Sequence, residues 1–235
     1  MNNIVKHIHQ ALIHSADEQT RTNSSQFFKE TVTVHGVKWG SVDKIAKEFF
    51  KTIKHQSKQE IFSICDALWH SAYLEEHIVA CRFSYALRKQ FEPQDLKRFH
   101  AWLKNGVDNW ASCDTLCNHT IAGLIEMFPE KIHELKQWTA STNRWERRGA
   151  AVTLIIPARR GLFLNDIFEI ATILLQDQDD LVQKGYGWML KAASEAHQHE
   201  VFNFVMRHKT TMPRTALRYA IEKMSKDLRT QAMKK

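Results

Sequence analysis

Glycine and proline are scarce in this chain, with 8 Gly and 4 Pro among 235 residues. That shortage leaves little material for tight hairpins or long irregular loops, and it favours helices over strands. No apolar run approaches the roughly 20 residues needed to span a bilayer. The opening stretch MNNIVKHIHQALIHSADEQ has no long apolar core of the kind an export signal carries, and it reads as an amphipathic helix. A cytoplasmic, nucleoid-associated location is the expectation that follows. Cysteine is sparse as well: Cys65, Cys81, Cys113 and Cys117 form no CxxC pair. Cys113 and Cys117 share a helical face near His119, but the spacing is poor for a metal, so packed, reduced thiols are expected. There is no Gly-rich phosphate loop, no HExxH and no GxSxG. In HQHE, at 197–200, the two histidines point to different helix faces, so the stretch reads as a helix terminus. Neither a metal nor a cofactor is expected.

What is present is helical periodicity. Ile4, Ile8, Ala11 and Leu12 make one apolar stripe, and Ile45, Phe49, Phe50 and Ile53 another. Ile61, Ile64, Cys65 and Leu68 make a third, and similar stripes recur as far as Val201–Val205. No run alternates convincingly with period two, so the chain reads as all-α. Start signals are Ser15 before Asp17 and Glu18, Pro93 with Asp95, Pro129 with Glu130, and Pro213. Gly36 and Gly40 flank a loop, VHGVKWGS, and Gly106 and Gly161 mark other ends. No linker rich in Gly, Ser or Pro divides the chain, so residues 1–235 read as a single domain.

A faint internal echo refines this picture. RWERRGAAVTLI begins at Arg144 and LVQKGYGWMLKA at Leu181; within them Arg148 and Lys184 each precede a glycine, and Leu154 and Leu190 follow at equal distance. EEHIVACRFSYAL near Ala80 and PRTALRYAIEKM near Ala216 extend the pattern. Periods near about 40 residues with paired helices suggest HEAT-like repeats, stacked into a right-handed α-α superhelix with a concave basic groove. Small residues at the echoed positions would let neighbouring helices approach closely. An irregular helical bundle is the alternative.

Three segments carry chemistry. In NWASCDTLC, Trp110 and Asp114 lie four apart and share one helix face. In NRWERRGAAV, Arg144 and Arg148 share a face, with Arg147 beside them. In QKGYGWMLK, Lys184, Trp188 and Lys191 fall on one face. Taken singly, each has a bland reading: a core tryptophan, a solvated aspartate, a solvated basic face. Taken together in a chain of net charge +7, two rings, one carboxylate and several cations suit a sugar-phosphate backbone.

These segments, in this order, resemble the AlkD-type DNA alkylation repair glycosylases. The resemblance runs from about Phe27–Gly36 to RTALRYAIEK. It implies a HEAT-like fold and hydrolysis of the glycosidic bond of N3- or N7-alkylated purines, such as 7-methylguanine, in base excision repair. The family's central motif, roughly Trp-Asp-x-x-Asp, becomes Trp110, Ala111, Ser112, Cys113 and Asp114 here, which puts the catalytic carboxylate on Asp114 and a flanking ring on Trp110. A second flanking ring falls on Trp188. A contact to DNA falls on Arg148; the other cations, Arg144, Arg147, Lys184 and Lys191, and the ring of Phe27 are expected to meet DNA as well. Phe27 stands where the family has a tyrosine, Ala111 where it has a first aspartate, and Lys191 where it often has arginine. The resemblance further implies that the duplex lies against the concave face with the lesion largely unenclosed.

The chemistry implied needs few groups. An N3- or N7-alkylated purine is cationic and departs as a neutral base, so no general acid is required. The oxocarbenium-like sugar left behind is what a carboxylate stabilises. No Schiff-base lysine is indicated, so a monofunctional, monomeric enzyme acting on double-stranded DNA is expected. Two rival readings remain, a non-catalytic DNA-binding module and a protein-interaction scaffold; the first binds DNA without releasing a base, and the second does neither.

Overall fold

A computed structural model describes residues 3–234. Those residues are all-α, with no strand and only an isolated bridge between Thr33 and Tyr73. None of their helices is long and apolar enough to cross a membrane. Backbone contacts divide the chain into two compact units, Met1–Leu116 and Cys117–Lys235.

The N-terminal unit holds α1 (Asn3–His14), α2 (Glu18–Phe27), α3 (Trp39–Ile53), α4 (Lys58–Trp69), α5 (Leu74–Ala86), α6 (Asp95–Gly106) and α7 (Trp110–Thr115). Its centre is α5, which packs against α1, α3, α4 and α7. Because neighbours cover it on several sides, α5 buries charged as well as apolar residues, including Glu75, Glu76 and His77. Buried polar groups must be hydrogen-bonded, and these are. The Glu75 carboxylate accepts from the backbone amides of His35, Gly36 and Val37 at 2.9, 2.9 and 3.1 Å. That contact pins the irregular segment between α2 and α3. Gly36 there has φ +89°, and a Cβ on it would lie 2.7 Å from the Arg21 Cβ. Asp17, not Ser15, caps α2, accepting from the amides of Gln19 and Thr20. Gly40 lies inside the first turn of α3 instead of bounding the loop.

The chain enters the C-terminal unit within a π-helical turn, Leu116–Ile121. It continues through α8 (Ala122–Met127), α9 (Ile132–Trp138), α10 (Arg144–Val152), α11 (Ile155–Arg159) and α12 (Leu164–Ile173). Then come α13 (Asp180–Ala193), α14 (Gln198–His208), α15 (Arg214–Ala220) and α16 (Lys226–Met233). HQHE lies at the start of α14, with His197 as the residue preceding the helix. All four cysteines are buried free thiols.

The echoed segments fall on α10, α13 and α15, and α13 packs against both of the others. Its glycines explain how. A Cβ on Gly185 would meet Arg148 Cγ of α10 at 3.3 Å. A Cβ on Gly187 would meet Tyr219 Cβ at 2.7 Å and the Ala216 carbonyl oxygen at 2.8 Å, both on α15. Backbone lies within contact range on that side, so a methyl group cannot be absorbed by a side-chain rotation. Gly187→Ala is therefore expected to destabilise by about 1–3 kcal/mol in urea unfolding. Gly40→Ala, where nothing lies within 4 Å, is the control and should be neutral or stabilising.

Candidate active site

Asn109 starts α7. It is fully buried, and its side-chain oxygen accepts from the Ser112 amide at 2.9 Å, which satisfies one of the orphan donors of the helix start. Its amide nitrogen donates to Asp108 Oδ1 at 2.7 Å and to Ser112 Oγ at 3.1 Å. His77 of α5 completes the chain. The Ser71 carbonyl can only accept, so His77 Nε2 carries the proton across 2.8 Å, and Ser112 Oγ donates to Nδ1 at 3.3 Å. Trp69 stacks on the same imidazole at 4.6 Å.

These contacts fix which way α7 faces. Ser112, Cys113 and Leu116 are fully buried. Trp110 and Thr115 are half-buried, and Ala111 and Asp114 keep 8% and 9% of their surface. Trp110 and Asp114, four residues apart, share one helix face, on which Trp110 is half-buried and Asp114 is buried. Phe27 and Phe28, at the end of α2, place their rings 5.5 and 5.4 Å from the Trp110 ring. Phe27 itself is 70% exposed. A cleft of about 820 Å³ in this unit is lined by Trp69, His77, Trp102 and Asp108 among others, and its lining does not include Trp110 or Asp114.

In the C-terminal unit the expected cations are present, and acids hold most of them. Arg144 Nε lies 2.7 Å from Asp179, and its guanidinium sits over the Trp145 ring. Arg147 Nε reaches Asp177 at 2.6 Å. Lys184 pairs with Asp180 at 3.1 Å, one helical turn away. Lys191 pairs with Glu222 at 3.0 Å and lies over the Tyr219 ring. Arg148 is different: it is buried, and its guanidinium donates to the Leu181 carbonyl, which joins α10 to α13. Trp188 is half-buried on α13.

The family profile described as DNA alkylation repair enzyme matches residues 8–224. The chain belongs to that family. This DNA alkylation repair enzyme also shares its fold with a solved structure described as a "Predicted DNA alkylation repair enzyme from Enterococcus faecalis". That alignment has a TM-score of 0.81 at 15% identity and covers 90% of this chain and 98% of the other. No curated protein matches it. Membership assigns the repair enzyme to alkylation damage in DNA.

Several residues of the site escaped the sequence. Phe28 braces Trp110 as closely as Phe27 does, and FF at 27–28 was the available signal. The acids Asp177, Asp179, Asp180 and Glu222 were legible as charges but not as partners. His77 and Ser112 gave no signal, because they lie 35 positions apart and meet only through the packing of α5 on α7.

The His77 network makes a pH prediction. Burial pushes the His77 imidazole below its ordinary value. The unfolded chain therefore binds the proton more readily. This contribution to stability is complete above the ordinary histidine value of about 6.5 and is lost as pH falls through it towards the lower folded value. Unfolding in urea between about pH 7.5 and 5.5 should show that fall, and His77→Gln should show a shallower one.

Proposed function

We propose that this repair enzyme is a monofunctional glycosylase that hydrolyses the N-glycosidic bond of N3- or N7-alkylated purines in double-stranded DNA. The observation that carries the reading is α7 itself, where a buried Asp114 stands one turn from a half-buried Trp110 ring backed by two phenylalanines.

The cationic base leaves with the bonding electrons and becomes neutral. The carboxylate of Asp114 stabilises the positive charge that grows on the deoxyribose. Water adds at the anomeric carbon, and the same carboxylate takes up its proton. The electron-rich face of Trp110 attracts the sugar cation. Phe27 and Phe28 keep the Trp110 ring from turning away and offer apolar surface to the DNA. A base that departs unaided needs no enclosing pocket, in keeping with the absence of Asp114 from the lining of the large cleft.

The cations act on phosphates. Arg144 and Lys184 are about one-third exposed, and their partners Asp179 and Asp180 are 19% and 41% exposed. Such pairs are worth only about 0–1 kcal/mol, so a phosphate displaces the aspartate at little cost. Arg147 and Lys191 are more enclosed and contribute through the field of their helices. Arg148 acts by holding α13, and with it Lys184 and Trp188, against α10.

Wild-type protein should release free 7-methylguanine from methylated duplex, with no nick before alkali or heat. Asp114→Asn should lower single-turnover release on the order of a hundredfold and leave duplex binding intact. Binding without release in the wild type would make the protein a DNA-binding module instead. Lys184→Gln should weaken binding alike for all sequences and lower the salt slope by about 1, with little change in release at saturating DNA.

A further inference from the structure

A second cluster, unrelated to α7 in sequence, joins α1, the segment before α3, and α5. Glu76 Oε1 is met by two imidazoles at once, His9 Nδ1 at 2.6 Å and His35 Nε2 at 3.0 Å. One ligand-type atom from each residue lies within 4.8 Å of the other two. Glu76 and His35 are buried, whereas the His9 side chain is 39% exposed.

The surroundings fix these groups from outside the cluster. The Tyr73 ring lies flat on His35, at 3.8 Å and 7°. Neighbouring Glu75 holds the His35 amide, and the Arg21 guanidinium donates twice to the His35 carbonyl at 3.2 and 3.1 Å. His35 is thus held through its amide, its carbonyl and its ring. His9 meets it edge-on, with ring centroids 5.1 Å apart.

We propose that His9 Nδ1, His35 Nε2 and a Glu76 oxygen form a binding site for a zinc-class divalent cation. Two imidazoles and one carboxylate are an established zinc donor set, with metal–nitrogen distances of about 2.0–2.1 Å and a fourth position left to water. Both ring nitrogens already aim at one oxygen, so a cation between them needs only a short retreat of the carboxylate. Each ring then carries its proton on its other nitrogen, and its lone pair faces the ion. The exposed flank of His9 is the way in and the place for the water. A bound ion would staple α1 to α5 and to the segment that follows Phe27 and Phe28. The proposal stands independently of the glycosylase reading.

The test uses full-length protein stripped with chelator, then titrated with Zn²⁺ by calorimetry and with Co²⁺ by visible absorption. His9→Ala removes a ligand at an exposed position. His9→Gln replaces the imidazole with an amide that still donates to Glu76, which separates ligation from a merely structural hydrogen bond. Wild type should bind one Zn²⁺ more than either variant, show a tetrahedral Co²⁺ spectrum that both variants lose, and gain thermal stability with Zn²⁺ where they do not. Equal stoichiometry, spectra and thermal shifts in wild type and His9→Gln would overturn the proposal.

Discussion

The hydrogen-bond chain from Asn109 through Ser112 and His77 to the Ser71 carbonyl is the constraint on which α7 depends. Asn109, Ser112 and His77 are buried, and a buried donor or acceptor stripped of its partner costs about 1–3 kcal/mol. Rotating α7 by one residue would strand Ser112 and His77 together and lift Cys113 out of the core. The helix therefore has one energetically acceptable orientation. In that orientation Trp110 is half-buried and Asp114, one turn on, keeps 9% of its surface. Tertiary contact through α5 supplies the rigidity.

Charge is arranged on a different principle. The chain carries an excess of seven positive charges, yet Arg144, Arg147, Lys184 and Lys191 each lie against an acid. These pairs keep long side chains ordered near the α10 and α13 surfaces while leaving the net field positive. Where exposure is high the pairs are weak, and exchange of a carboxylate for a phosphate is nearly neutral. Arg148 is the exception that holds the scaffold: a buried guanidinium gripping the Leu181 carbonyl. The glycines opposite it on α13 let α10 and α15 come close on either side.

Much of this was legible in the chain. Periodicity and the shortage of Gly and Pro predict an all-α fold, and the GAA and GYG echoes mark helices that do stack on one another. The i, i+4 spacing of Trp110 and Asp114 predicts their common face. Boundaries were less legible, because caps compete locally: Asp17 captures α2 from Ser15 by reaching two amides at once. The long-range polar contacts were not legible at all. Glu75, Glu76 and His77 look like an ordinary charged first turn in sequence, and only the packing around α5 turns them inward. His9, His35 and Glu76 are separated by tens of residues, so no ligand spacing betrays them.

The central claim is that charge divides the chemistry between substrate and enzyme: the alkylated base supplies its own leaving-group activation, and Asp114 answers the charge on the sugar. The most direct measurement compares single-turnover base release from two duplexes of the same sequence. One carries cationic 7-methylguanine, and the other its uncharged isostere 7-methyl-7-deazaguanine. The account predicts that the first base is released and the second is retained. Release of both at similar rates, or of neither, would contradict it.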